Sequence, residues 1–266
     1  MLVHAREVGF RYDREWVVHD LDLKVDPGEF IAVVGPNGSG KSTMLLLLAR
    51  VLTPERGEIT LLGRPLSSYS RRDISQKMAL IFQEGHGSFP FTVMDIVLMG
   101  RAPYMRGFAF ESSGDREKAN WAMEVTGVYP LKKRRIGELS GGERQRVFIA
   151  RALAQETPIV LLDEATTHLD IHHQIEIIDI LYSLKEEFGK TIVAVTHDLN
   201  LAASVFDRVI LFSSGSVFSD GAPERVITAE NIKKIYGVMA LIDRDPAHGR
   251  PRVFFEGKRH KARNVE

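Results

Sequence analysis

Cysteine is absent from the 266 residues, which excludes a disulfide framework and any thiolate-ligated metal or redox centre. Net charge is missing too, because 35 Lys and Arg stand against 35 Asp and Glu. A bulk polyanion binder is thereby excluded, and no nucleic-acid partner is expected. Long apolar runs are also lacking. The densest, Met44 to Ala49, ends at Arg50, far short of the roughly 18 residues that cross a bilayer. Arg6 and Glu7 interrupt the N-terminus where a secretory signal needs unbroken apolar residues. These features lead us to expect a soluble chain on the cytoplasmic side, able to rest against a membrane protein. What is present is a globular composition, 44% hydrophobic and 26% charged, which argues against disorder.

Short apolar runs rich in β-branched residues recur at Phe30 to Val34, Glu58 to Leu62, Pro158 to Leu162, Thr191 to Val195 and Arg208 to Phe212. Each reads as a strand. A helical pattern of Ile171, Ile175, Ile178 and Leu181 precedes the fourth run and stops at Gly189. Strands alternating with helices predict an α/β domain around a buried, mostly parallel sheet. The stretch from Glu84 to Gly137 reads instead as a mostly helical insertion. Within it Ser112 and Asp115 have capping-box spacing ahead of Ala119, Ala122, Met123 and Thr126 on one helical face. The first 30 residues and the segment around Ile59 suggest a small antiparallel sheet beside the core. From Arg244 onward basic residues outnumber acidic ones among prolines and glycines, the composition of a solvated tail.

Directly after the first parallel run comes Gly35-Pro36-Asn37-Gly38-Ser39-Gly40-Lys41-Ser42-Thr43, which fits G-x-x-x-x-G-K-S/T and leads into a helical run. In such a loop the glycines turn backbone N–H groups toward phosphate oxygens, and the helix N-terminus adds positive partial charge. Lys41 neutralises the β and γ phosphates, and Ser42 offers a hydroxyl to Mg²⁺. Asp163 and Glu164 end the strand that begins near Pro158. Taken alone they could be an acidic pair favoured by a helix N-terminus. With a phosphate loop upstream, they also suit a Mg²⁺ ligand and a group facing the attacking water, since ligands lie beyond the carboxyl ends of parallel strands. A second Ser-Gly-Gly turn, Ser140-Gly141-Gly142, opens another helix, and its backbone N–H groups would make a second phosphate cradle.

Leu139-Ser140-Gly141-Gly142-Glu143 followed by Arg144-Gln145-Arg146-Val147 resembles the signature sequence of ATP-binding cassette (ABC) ATPases. That resemblance implies a P-loop NTPase fold with an antiparallel β subdomain and an inserted helical subdomain, ATP as substrate, Mg²⁺ as cofactor, and two chains meeting head to tail so that each completes the other's site. Further positions take their implied roles from it. Tyr12 resembles the aromatic that stacks on adenine, and Gln83 the glutamine that reaches Mg²⁺ and the water. Asp170, in Thr167-His168-Leu169-Asp170, resembles the aspartate at the dimer seam; His197 resembles the switch histidine at the γ-phosphate. Glu164 is the implied catalytic base, with Lys41, His197 and Gln83 beside it and Ser42, Gln83 and Asp163 as metal ligands. Gly35 to Thr43, Ser140, Gly141, Gly142, Glu143, Tyr12 and Asp170 are the implied nucleotide contacts. Two departures stand out: Ala165 replaces a common proline, and Glu143 a frequent glutamine.

A narrower resemblance rests on Gly100-Arg101-Ala102-Pro103-Tyr104 and His197-Asp198-Leu199-Asn200-Leu201-Ala202, which look like stretches in the ATPases of iron-siderophore, haem and cobalamin importers. It implies a homodimer on the cytoplasmic face of the membrane under two copies of a permease, fed indirectly by an external solute-binding protein. The segment from Arg101 to Tyr104 is then expected to face the permease. The division expected is an ABC ATPase domain at residues 1–243 with its helical insertion at about 84–150, then a basic tail at 244–266. The competing expectations are a soluble ABC ATPase with no permease, acting as an assembly scaffold or in nucleic-acid or ribosome work, and an importer ATPase for a different solute.

Overall fold

The structure is a computed structural model that describes residues 1–82, 90–105, 111–165 and 169–255. Gln83, the glycines at 85 and 87, Thr167, His168 and the end of the basic tail lie outside the described residues. Two sheets carry the fold. An antiparallel sheet holds β1 (Val3–Tyr12), β2 (Glu15–Val25), β4 (Arg56–Leu61) and β5 (Arg64–Pro65) in the order β2-β1-β4-β5. A six-stranded sheet holds β3 (Phe30–Val34), β6 (Met78–Ile81), β7 (Ile159–Asp163), β8 (Thr191–Val195), β9 (Arg208–Ser213) and β10 (Ser216–Gly221) in the order β10-β9-β3-β8-β7-β6. Its pairs are parallel except the β9–β10 hairpin at one edge. The expected α/β core and antiparallel sheet are both present.

Helices fill the connections: α1 (Lys41–Leu48), α2 (Arg71–Ser75), α3 (Val93–Met99), α4 (Ser113–Val125), α5 (Gly141–Ala154), α6 (Ile171–Glu186), α7 (Leu199–Val205), α8 (Pro223–Val226) and α9 (Ala229–Tyr236). The last elements among the described residues are a hairpin of β11 (Ala240–Arg244) and β12 (Pro251–Phe255).

Strand alternation divides the core in two. Phe30, Ala32 and Val34 of β3 face one cluster with Val160, Leu162, Ile192 and Ala194 and the helices α3 to α7. Ile31 and Val33 face the other, with Leu161, Val193, α1 and the antiparallel sheet. A strand buried on both faces has no polar phase, which is why these segments read as continuous apolar runs. The run at Met44 has the same cause: Met44, Leu45, Leu47 and Leu48 are all buried between the two sheets. Among the described residues no helix is long and apolar enough to cross a membrane.

The insertion contains α3 and α4, and the Ser112–Asp115 capping box forms, with Ala119, Ala122, Met123 and Thr126 buried beneath it. Three expectations need correction. The buried face of α6 is Ile177, Ile180, Leu181 and Leu184, whereas Ile171 is 76% and Ile175 52% exposed. At 100° per residue the true face is turned by roughly a third of a revolution from the predicted stripe, and only Leu181 belongs to both. Residues 251–255, expected in a solvated tail, form β12, because Val253 alternates inward between exposed Arg252 and Phe254. This strand is bound to α7 at two points. The Asn200 side chain accepts from Val253 N at 2.7 Å and donates to Val253 O at 3.2 Å. Arg250 donates to the carbonyls of Ala203 and Phe206, where α7 ends.

The third correction concerns Arg101. Its side chain, expected to face outward, is 7% exposed and forms a buried clamp within the chain. Its guanidinium donates to Asp115 Oδ1 at 3.0 Å, to Glu156 Oε2 at 2.7 Å and to the carbonyl of Ala154 at 2.7 Å. Tyr104 stacks beneath it and donates to Gln155 O at 2.9 Å. The pair therefore joins the ends of α3, α4 and α5. Hydrogen bonds from Ser112 and Arg101 hold the Asp115 carboxyl below the usual carboxylate range, so this stabilisation is present above the unfolded-state value and is lost as pH falls through the folded one. Arg101→Met should lower unfolding stability by about 3 kcal/mol, since it removes the cation paired with the largely buried Asp115 carboxylate and the donor to the Ala154 carbonyl, whereas Glu156 keeps Lys118. Urea titration at neutral pH measures this, and the difference from the parent should shrink in acid; a neutral effect at pH 7 would place Arg101 outside the stabilising network.

Candidate functional site

The phosphate loop runs from β3 into α1. Gly40 occupies the N-cap in the left-handed region at φ 99°, and α1 has no side-chain cap. A side chain at Gly40 would meet the Val17 carbonyl as well as that strained backbone. By contrast α3, α4, α5 and α6 are capped by Thr92, Ser112, Ser140 and Asp170. The first-turn N–H groups of α1 are thus the ones left to a ligand. Ser39 Oγ is likewise buried with no partner among the described residues. Lys41 is buried and donates to the carbonyls of Gly35 at 2.9 Å and Pro36 at 2.8 Å. Burial lowers its pKa, while Glu164 and Asp163 oppose that shift.

Asp163 is the last residue of β7 and accepts from Ser42 Oγ at 3.1 Å. Burial pushes its carboxyl up from the ordinary value, against the hydrogen bond from Ser42 and the charge of Lys41. An all-oxygen set of hydroxyl and carboxylate suits Mg²⁺, and a dication would relieve the cost of burying that charge. Glu164 follows with φ 53°, a left-handed conformation unfavourable for a side chain. Its N–H donates to Val195 O at 3.1 Å, which holds the turn against the end of β8. His197, two residues beyond β8, directs Nε2 at Glu164 Oε1 in a short contact. A cavity of about 510 Å³ opens here, lined by Val17, Asn37, Gly38, Gly40, Lys41, Ser42, Thr43, Glu164 and His197.

Lys41, Ser42, Glu164 and His197 are thus brought together, with Asp163 behind Ser42. Gly35, Pro36 and Ser39 support the loop without lining the cavity. Tyr12 is exposed at the end of β1, edge-on to Phe10 at 4.9 Å, and is not part of the lining. Ser140, Gly141 and Gly142 also lie off it, at the N-terminus of α5. Glu143 turns back to accept from Ser140 N at 2.8 Å, and Ser140 Oγ accepts from Glu143 N. That backbone hydrogen bond holds the Glu143 carboxyl below its usual range. Asp170 caps α6 by accepting from His173 N at 2.9 Å. Gln83 lies outside the described residues.

Two groups of residues escaped sequence reasoning. Val17 of β2 lines the cavity through backbone and aliphatic surface, which no motif marks. His173, Glu176 and Arg146 join α5 to α6: Arg146 pairs with Glu176, and the His173 ring lies so close to Gly142 that a Cβ there would collide with it. Only the size of residue 142 hinted at that approach. A larger cleft, about 740 Å³, lies between α7 and the β11–β12 hairpin and holds none of the predicted site residues.

Residues 18–167 match the family model described as ABC transporter. The ferric enterobactin transport ATP-binding protein FepC of Escherichia coli (strain K12) is 40% identical over 251 residues, covering 94% of this chain and 93% of that protein. A metal-chelate type ABC transporter solved in an inward-facing conformation superposes with a TM-score of 0.85 at 28% identity, over 97% of this chain and 98% of that one. The dimeric post-hydrolysis ATP-binding cassette MJ0796, bound to ADP and Pi, superposes with a TM-score of 0.73 at 30% identity, over 84% of this chain and 99% of that one. With the phosphate loop, the acidic strand end and the signature turn each in place on this fold, the chain belongs to the ABC transporter family as one of its ATP-binding proteins.

Proposed function

We propose that the chain is the ATP-hydrolysing subunit of an importer for a metal chelate of the iron-siderophore, haem or cobalamin class. It works as a homodimer on the cytoplasmic face of the membrane, under two copies of a permease that an external solute-binding protein supplies. One observation carries the reading: Lys41, Ser42, Glu164 and His197 converge on a single cavity at the carboxyl ends of β3, β7 and β8. The solute class draws its support from the similarity to FepC and to the metal-chelate type transporter. The dimer draws its support from the signature turn, which lies off the chain's own cavity, and from the dimeric relative.

In this reading Lys41 exchanges its two carbonyl partners for β and γ phosphate oxygens, while the N–H groups of the loop and of the first turn of α1 close around the remaining oxygens. Ser42, Asp163 and Gln83 would hold Mg²⁺, which would supply positive charge against the phosphates. Glu164 accepts a hydrogen bond from the attacking water and aligns it with the γ-phosphorus. His197 keeps the Glu164 carboxylate oriented and donates to the γ-phosphate as charge builds there. Tyr12 lies against adenine. Ser140 to Gly142 of the second copy bind the same γ-phosphate, with Asp170 at the seam, so ATP draws the two chains together and ADP does not.

Glu164→Gln should retain MgATP affinity and lose turnover by roughly 10² or more, because the carboxylate acts on the water. Equilibrium nucleotide binding and phosphate release measure the two quantities, and turnover near that of the parent would remove Glu164 from its role. With MgATP the same variant should dimerise by light scattering, and adding Ser140→Arg should return it to monomer. A dimer that survives the double change would place the signature turn outside the interface. Cells lacking the chain should lose uptake of a radioiron-labelled siderophore or haem, or of labelled cobalamin; unimpaired uptake of all three would overturn the solute class.

A further inference from the structure

The start of α6 carries a group of side chains that the nucleotide site does not use. His172, His173 and Glu176 place one ligand atom each within 4.8 Å of one another. His172 Nε2 lies 3.7 Å from Glu176 Oε1, and His173 Nδ1 lies 2.8 Å from Glu176 Oε2. Helical geometry produces this, since residues 172 and 176 are one turn apart and 173 and 176 lie on the same side. Hydrogen bonding to His173 holds the Glu176 carboxyl below its usual range, with Arg146 adding to the shift, so the group is a carboxylate at neutral pH.

We infer that His172, His173 and Glu176 form a binding site for a divalent transition ion of the Fe²⁺ or Zn²⁺ type, separate from the catalytic Mg²⁺. Two imidazoles and one carboxylate are the donor set such borderline ions take, and two nitrogen donors disfavour Mg²⁺ and Ca²⁺. A four-coordinate ion with bonds of about 2.0–2.1 Å needs its donors roughly 3.4 Å apart. To meet that, the widest separation, up to 4.8 Å, closes by about 1.4 Å, which exposed His172 does by rotation, and the 2.8 Å His173–Glu176 pair opens by about 0.6 Å. Two protein-facing features set the terms. The ion takes the place of the hydrogen between His173 Nδ1 and Glu176 Oε2, and the imidazole proton moves to Nε2. Arg146 remains on the carboxylate and opposes a second positive charge, so loading is reversible. Because the His173 ring rests on Gly142 and Arg146 belongs to α5, the loaded site stiffens the joint between the signature helix and the turn that follows Asp170.

The test uses the full, untagged chain without nucleotide, Co²⁺ as the spectroscopic probe and Zn²⁺ as competitor. One Co²⁺ per chain should produce visible d–d absorption that Zn²⁺ abolishes and excess Mg²⁺ leaves intact. His172→Ala, at a position whose side chain is 79% exposed, should weaken Co²⁺ affinity by about tenfold or more, as should Glu176→Gln. His248→Ala, at another exposed histidine beside a carboxylate, should leave it unchanged. Saturating Zn²⁺ should raise the thermal midpoint of the parent and not that of His172→Ala. Affinity unaltered in a His172→Ala chain with normal circular dichroism would overturn the assignment, as would equal loss in His248→Ala or displacement of Co²⁺ by Mg²⁺.

Discussion

Burial of the central strands on both faces is the constraint from which the site follows. β3, β7 and β8 are covered by helices on one side and by α1 and the antiparallel sheet on the other, so along their length a charged residue has no solvent to face. Polar chemistry is confined to where the strands stop. Asp163 is the last residue of its strand, Glu164 the next, His197 follows β8 and the phosphate loop follows β3. Three chain segments remote in sequence are thus brought to one rim by the pairing of β3, β7 and β8. The buried Asp163 and Lys41 show the strain of that position: each is displaced toward its neutral form by desolvation, and each opposes that displacement in the other.

Much of this was legible in the sequence because the determining physics is local. A phosphate loop must be rich in glycine, and a strand buried on both faces must be uniformly apolar, so Phe30 to Val34 and Thr191 to Val195 declare their own limits. The Ser112–Asp115 cap is also a short-range device. What escaped depends on the partner and not on the segment. The phase of α6 is decided by which face the sheet offers, and the isoleucines at 171 and 175 carried an equally good periodicity on the wrong side. β12 is too short for its alternation to outweigh the basic residues around it. Within the site, Glu143 and Asp170 matched motif positions, yet their carboxylates cap their own helices.

Arg101 shows why a motif position does not by itself reveal what it does. Its segment invited a surface role, yet the side chain is enclosed by Asp115, Glu156 and the carbonyl of Ala154. Such a clamp is weak as a source of net stability but costly to break, and it fixes the mutual register of three helices. Arg208 does comparable work at the opposite side of the fold, bonding Glu29, Asp220 and the Lys24 carbonyl and so tying β9 to the turn between the two sheets.

The attachment of β12 to α7 has a consequence for His197. Asn200 imitates a strand edge toward Val253, and Arg250 closes the far end of the same helix. His197 stands immediately before that helix, so the last strand of the hairpin acts as its anchor point, and any swing of the histidine must either bend the junction at Asp198 or drag the hairpin along. A load applied to β12 therefore pulls on the same lever. In engineering terms β12 is a mechanically live strand, coupled through α7 to a residue that lines the cavity.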